Sequence, residues 1–384
     1  MNYLIRSRKN EHDETVNKLQ TRIEKITDIK KAPAVFAEAG AIIRSGGLVA
    51  FPTETVYGLG ANGLDADACA KIYAAKGRPS DNPLILHVAD RAMVDMAAAM
   101  VTTMAERVLA AFAPGPVTVI LPKRGEVPPS VTGGLSTVGI RMPDNDIARA
   151  LIRAAGVPIA APSANRSGRP SPTTAEAVFA DMNGKIPLVL DGGPCHFGVE
   201  STIVDCTGER AEILRPGAIT REMLAEVLGE LAPPPVLNEE EPPRAPGRKY
   251  THYAPLAPLT LMDAPEGEKR QAQLFSAICD AACEAKANGK RPGIIVSREL
   301  AEKIAPLRLI PPERIAAYGS AGNLSEIAAH LYESLRYFDD TDADVLFAEA
   351  VEEKDLGVAI MNRLKKAASG RVRFADGQNR TLGR

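Results

Sequence analysis

The chain has 384 residues, with 46 Lys and Arg against 48 Asp and Glu and a formal net charge of -2. That balance excludes a surface built as a whole for nucleic acid, so any anion site must be a local cluster. The length exceeds one typical hydrophobic core and predicts two domains. Five cysteines at irregular spacing form no CxxC pair of the structural-zinc kind and suit a reducing compartment; Cys279 and Cys283 share a helix face and read as packing. The N-terminus carries Arg6, Arg8 and Lys9, but Glu11, Asp13 and Glu14 follow at once, without the apolar core of a signal peptide. No stretch approaches the roughly 20 apolar residues of a membrane span, and the expected location is cytoplasmic.

In chain order, residues 1–31 read as an extension, partly helical. Apolar residues at helical spacing predict a helix over 34–45, closed by Gly46-Gly47 before a strand at 48–51. Asp65 is placed to cap a helix ending near Lys76-Gly77. Strands follow at 84–88, 117–121, 138–141, 158–161, 188–190, 202–204 and 212–214, with helices near 103–113, 145–155, 174–181 and 220–228. This is a mixed α/β domain over 32–231. Between 232 and 258 the proline clusters Pro233-Pro234-Pro235 and Pro242-Pro243 flank Glu239-Glu240-Glu241, a composition that packs no core and reads as a linker. From 259 to 384, strands at 259–262, 293–296 and 345–347 alternate with helices near 268–288, 298–304, 323–337 and 356–368. That alternation predicts a parallel sheet in a smaller, Rossmann-like α/β domain.

The run Lys76-Gly77-Arg78-Pro79-Ser80-Asp81-Asn82-Pro83 places two cations and a hinge ahead of an apolar strand. Arginine supplies a bidentate fork and lysine a point charge, a candidate polyphosphate clamp; a solvated basic helix end is the plainer alternative. No GxxxxGK[ST] loop occurs, and Gly58-Leu59-Gly60-Ala61-Asn62-Gly63, although it spells GxGxxG, is separated from its strand by Pro52 to Tyr57. A dinucleotide site is therefore disfavoured; the glycines let backbone approach a small substrate or turn the chain. Period-2 alternation sets His87 opposite Leu86 and Val88. Arg141 ends a strand, where a rigid cation can grip a carboxylate, or else pairs with Asp144 or Asp146. Pro162-Ser163-Ala164-Asn165 follows an apolar run, as ligand-binding turns do in α/β folds, and Gly198-Val199-Glu200-Ser201-Thr202 and Leu214-Arg215-Pro216-Gly217 add small polar groups and a further cation.

The order of these segments resembles the threonylcarbamoyl-AMP synthase family, built on a YrdC-type domain, from about residue 34 to 230. Pro52-Thr53-Glu54-Thr55-Val56-Tyr57-Gly58, Pro114-Gly115-Pro116-Val117-Thr118 and Asp191-Gly192-Gly193 belong to the match. Pro246-Gly247-Arg248-Lys249-Tyr250-Thr251-His252-Tyr253-Ala254-Pro255 resembles the signature joining this domain to a second one in longer members, although Arg248 stands where they often have methionine. The resemblance implies a YrdC-type domain with a concave ligand cleft. It also implies a reaction of L-threonine, bicarbonate or carbon dioxide, and ATP with Mg2+, giving threonylcarbamoyl-AMP and pyrophosphate. A downstream transferase would consume the product in tRNA threonylcarbamoyladenosine modification. By the same resemblance, Lys76 and Arg78 are catalytic and bind ATP together with Asn82, Thr137, Ser163, Asn165, Ser171, Arg215 and Tyr250. Thr55, His87, Arg141, the Ala161 backbone and Ser201 hold threonine. Separately, the proline stiffness and local charge of Pro246–Pro255 suit a lid folding across the cleft, or equally an inert tether. Related carbamoyl-adenylate enzymes of hydrogenase maturation add an acylphosphatase module and zinc fingers, neither visible here. An RNA-binding or ribosome-associated module using the cationic cleft is the alternative from another class.

Overall fold

The computed structural model describes residues 19–235, 243–247, 252–375 and 379–381. Ten strands build the first sheet: β1 (Arg22–Lys25), β2 (Val49–Phe51), β3 (Gly58–Asn62), β4 (Ile85–His87), β5 (Val117–Pro122), β6 (Thr137–Arg141), β7 (Ile159–Ala160), β8 (Leu188–Asp191), β9 (Thr202–Asp205) and β10 (Glu212–Arg215). Their order is β1-β8-β2-β3-β7-β4-β6-β5-β9-β10 with mixed directions. One face packs Leu59, Leu86, Val119 and Ile140 beneath Cys69, Ile72 and Tyr73 of the helix Ala66–Lys76. The other packs Phe51, Ile159 and Leu188 beneath Phe36, Ile43, Leu151 and Ile152. The helices Pro33–Arg44 and Asp146–Ala155 cross closely there, and a Cβ on Gly40 would fall 2.6 Å from the Ala154 backbone.

The second sheet contains β11 (Leu259–Asp263), β12 (Pro292–Val296), β13 (Ile315–Ala317), β14 (Val345–Glu349), β15 (Arg371–Phe374) and β16 (Asn379–Thr381), in the order β13-β12-β14-β11-β15-β16. All its neighbours are parallel except β15 and β16. The helix Arg270–Ala287 covers one face. Leu324–Tyr337 and Leu356–Ala367 cover the other, and the apolar cluster they enclose continues into Val56 and Val199 of the first domain and Tyr253 of the linker. The two domains thus share a core.

Three expectations change. The described part of the extension carries a strand as well as the short 3-10 helix Ile29–Lys31: β1 pairs in parallel with β8 and extends the first sheet, with Thr21 Oγ1 donating to Ile186 O at 2.6 Å. The glycines Gly58 and Gly60 neither turn the chain nor open a helix; they lie in β3, paired antiparallel with β2. A Cβ on Gly60 would sit 2.8 Å from Ile159 Cγ2, so close packing explains that glycine. In the second domain the short strands β13, β15 and β16 escaped the periodicity, being three or four residues long, too short for an alternation to register. No helix among the described residues is long and apolar enough to cross a membrane.

Gly198 sits at the seam with φ of +69°, and a Cβ there would lie 2.3 Å from Ala328 O and 2.5 Å from Ala329 Cα. Both neighbours are helix backbone, which cannot swing aside. Gly198→Ala is expected to cost about 2 kcal/mol or more through overpacking and a disfavoured φ. A denaturant midpoint equal to that of the unmodified protein would show that the helix gives way freely.

Candidate active site

The helix Ala66–Lys76 brings the cationic run to the cleft. Asp65 caps it by accepting from Asp67 N and Ala68 N, and Gly77, at φ 62°, ends it in the left-handed region that glycine favours. Tyr73 Oη then donates to Ser130 O (2.7 Å) and Asn82 O (3.1 Å), pinning the following loop. Lys76 is 4% exposed; its Nζ donates to the carbonyls of Ser163 and Asn165. Burial, reinforced by Arg78, pulls Lys76 well below its usual range. Arg78 donates to Pro83 O at 3.2 Å, burial lowers it to about 10, and its buried Nε has no acceptor.

Parallel pairing of β4 with β6 sets His87 beside Arg141. Burial, then the charge of Arg141, pushes His87 down to about 3, so the ring stays neutral and is a poor general base. Arg141 does not pair with Asp144 or Asp146, which bind Arg149 instead. Its buried partner is Glu54, with Arg141 Nη2 2.8 Å from Glu54 Oε2. That contact is ionic rather than an aligned hydrogen bond, and Arg141 Nε and Nη2 both lack an acceptor. Arg215 donates Nε and Nη2 to Ser201 O at 3.1 and 3.0 Å, and Ser201 Oγ lies 2.8 Å from Thr118 Oγ1.

One cleft is lined by Lys76, Arg78, His87, Arg141, Ala161, Ser163, Asn165, Ser171, Ser201 and Arg215, ten of the residues expected from sequence. Ser163 Oγ donates to Asn165 Oδ1 at 2.5 Å, and Asn165 Nδ2 to Arg166 O and Arg169 O at 2.8 and 2.9 Å. The Ala161 N–H is taken by Ile85 O at 2.9 Å, so a ligand would meet its carbonyl. Three expected residues lie off the cleft wall. Asn82 is buried beneath it, its carbonyl held by Tyr73 and Arg78. Thr55 is fully buried with Oγ1 2.9 Å from Thr53 Oγ1, and Thr53 takes the lining position. Thr137, at the opposite end of β6 from Arg141, lines an adjoining hollow with Pro83, Leu84, Gly139 and Arg244. Tyr250 lies outside the described residues.

The cleft wall also includes Thr53, Arg169 and Glu200, to which the sequence alone gave no role, and Glu54 stands behind it as the partner of Arg141. Glu54 and Glu200 stand inside the quoted motifs, and a carboxylate enclosed by apolar and small residues was the available signal. Pro246, Gly247, His252 and Tyr253 of the linker line the cleft, and Ala254 N donates to Gly168 O at 2.9 Å. The described parts of Pro246–Pro255 therefore cover the cationic groups.

Residues 41–217 match the Sua5/YciO/YrdC family model, described as telomere recombination, and residues 219–369 match the threonylcarbamoyl-AMP synthase C-terminal domain. The chain is 45% identical over 339 residues to a threonylcarbamoyl-AMP synthase of Bacillus subtilis, covering 88% of this chain and 93% of that protein. It is 44% identical over 337 residues to that of Pyrococcus abyssi, covering 87% and 94%. The crystal structure of P. abyssi Sua5 complexed with L-threonine superposes with a TM-score of 0.84 at 41% identity, covering 92% of this chain and 99% of that one.

Because Glu54 is the buried counter-charge of Arg141, Glu54→Ala leaves a guanidinium unpaired out of water. The expected loss of stability is about 3–5 kcal/mol, read from urea unfolding. A loss below about 1 kcal/mol would mean that Arg141 finds another partner.

Proposed function

The chain belongs to the threonylcarbamoyl-AMP synthase family, and from this premise we infer that it is an L-threonylcarbamoyladenylate synthase, a nucleotidyltransferase that converts L-threonine, bicarbonate or carbon dioxide, and ATP to threonylcarbamoyl-AMP and pyrophosphate. One observation carries the residue assignment: the cleft gathers Lys76, Arg78, Arg141 and Arg215, three of which donate to carbonyl oxygens rather than to carboxylates. Their charge is available to an anion.

Arg141 lines the cleft with a buried Nε that has no acceptor while Nη2 faces Glu54, and its guanidinium is the group a threonine carboxylate fits. His87, held neutral beside it, adds a hydrogen-bonding ring without a competing charge. The threonine amine forms a carbamate, and a carbamate oxygen attacks the α-phosphorus of ATP as pyrophosphate leaves from the opposite side. Lys76 and Arg78 neutralise the departing phosphates, and Arg215 with Ser201 fixes the wall between the two substrates. Such chemistry asks for placement and charge stabilisation rather than a covalent nucleophile.

Magnesium enters with ATP as part of the substrate. No three His, Cys, Asp or Glu side chains gather among the described residues, and Glu54 and Glu200 are each engaged by an arginine, so the phosphates supply its principal oxygens. The labile carbamate and mixed anhydride need protection from water, and the described parts of Pro246–Pro255 lie where a lid gives it. The product's acyl-phosphate bond suits transfer to an amine, consistent with a transferase that modifies tRNA adenosine. An RNA backbone is a poor occupant of this cleft, since Lys76 and Arg215 are only 4% and 6% exposed; any RNA contact would be weak and lie elsewhere.

Pyrophosphate release is expected to require both L-threonine and bicarbonate, and to fall about 100-fold or more in Lys76→Ala or Arg78→Ala. Release without threonine would overturn the reaction. A second expectation follows from the lowered Lys76. Bound phosphates favour its charged form and raise its pKa, so ATP affinity is expected to fall, and proton uptake on binding to appear, as pH rises through the lowered unliganded pKa toward the liganded one. Calorimetry in buffers of different ionisation enthalpy reads this directly; no proton uptake would mean that Lys76 is already charged.

A further inference from the structure

The deepest charge at the seam is not in the catalytic domain. Arg363, on the helix Leu356–Ala367 of the second domain, is 0% exposed and is not among the residues lining the cleft. Its Nε donates to Glu200 Oε2 at 3.0 Å and its Nη1 to Pro216 O at 2.7 Å. Tyr332, from the helix Leu324–Tyr337, donates to the same Glu200 oxygen at 2.8 Å. Glu200 Oε1 accepts from Ser171 Oγ at 2.6 Å. A carboxylate of the catalytic domain, on the cleft wall, is therefore neutralised from behind by the other domain.

We propose that Arg363 is a positioning residue for the synthase reaction: it holds Glu200 from outside the cleft, which keeps Ser171 in place and leaves Arg215 free to fix Ser201. This inference rests on the synthase reading. Arg215 binds Ser201 through its carbonyl and hydroxyl, yet it also lies close enough to Glu200 to favour the carboxylate's charged form. Two arginines thus compete for one buried anion. With Arg363 in place, Glu200 is satisfied and Arg215 serves the cleft. Without Arg363, either Arg215 turns to Glu200 and releases Ser201, or Glu200 takes up a proton and the Ser171 bond is remade.

The electrostatics agree with this geometry. Burial alone would raise the Glu200 carboxyl, but Arg363 and then Arg215 more than offset it and hold it down at about 2. Burial likewise opposes the charge on Arg363, and Glu200 reverses the effect. The second domain also grips the cleft loop beyond Asn165. Arg336 donates to Pro170 O and, at 2.6 Å, to Asp181 Oδ2, and Asp339 pairs with Arg169.

The test uses the full chain as Arg363→Met, Glu200→Gln, the double variant and Tyr332→Phe. It measures kcat and KM for L-threonine and ATP by pyrophosphate release, threonine binding by calorimetry, and thermal unfolding. Arg363→Met should raise both KM values about tenfold or more and bring a pH transition into the assay range that the unmodified enzyme lacks, as Glu200 loses its main partner. Glu200→Gln combined with Arg363→Met should recover a substantial part of that loss, since neither charge is then stranded. Tyr332→Phe should raise KM severalfold with folding intact. Unchanged KM values in folded Arg363→Met, or losses that simply add in the double variant, would overturn the proposal. If Arg363→Met does not fold, unchanged constants in Tyr332→Phe would overturn it and a raised KM would support it. Failure of the unmodified protein to form the adenylate would refute the synthase reading instead, while weakened threonine binding in the variants would still support the positioning role.

Discussion

The structure depends on keeping cations charged where little water reaches them. Lys76, Arg141, Arg215 and Arg363 are all nearly or fully buried, and burial of a cation out of water is costly unless its protons and its charge find partners. The chain meets that cost in two ways. Arg141 and Arg363 receive carboxylates, Glu54 and Glu200. Lys76, Arg78 and Arg215 receive carbonyl dipoles, which steady the side chain without cancelling its charge. The second group is the one able to answer a polyanion, since burial lowers the pKa of each member and a bound anion would favour its charged form.

The distribution of partners explains why two domains are needed. Carbonyls for Lys76 come from the turn after β7, which β3 and the residue before it hold in place, Leu59 N donating to Pro162 O and Ala164 N to Tyr57 O, each at 2.8 Å. The compensating charge and hydroxyl on Glu200 come from helices more than 130 residues further along the chain. Between them runs the linker, with Tyr253 stacked on Tyr332 at 5.2 Å and Lys366 donating to Gly247 O. The second domain therefore fastens the cover to the cleft and also completes the cleft's electrostatics.

Much of this was legible in advance. The helix ending at Lys76-Gly77 was announced by Asp65 and the glycine, because capping is a local contest between side chain and backbone. The family resemblance joined His87 and Arg141 in one site, and pairing of β4 with β6 makes them neighbours. Of the two expectations for Gly58 and Gly60, the turn fails because both lie in β3, while Gly58 does line the cleft; a glycine that permits a turn and one that permits close packing look the same in sequence. Thr55 is buried behind the cleft and Thr137 lines the adjoining hollow, placements that were not legible because a threonine beside a motif carries no sign of which way it faces.

The sequence by itself determined the chemistry: cations on a capped helix end and at strand ends, small polar turns after apolar runs, and a proline-rich join between two α/β patterns. These follow from near-neighbour physics, in which propensity, capping and alternation act over a few residues. Only the tertiary structure decided which charges cancel and which remain available. Glu54 meets Arg141 across 87 positions, and Glu200 meets Arg363 across 163. No local signal distinguishes a buried arginine that serves a carboxylate from one that serves a substrate, because that choice is made by the low-dielectric seam in which both are enclosed.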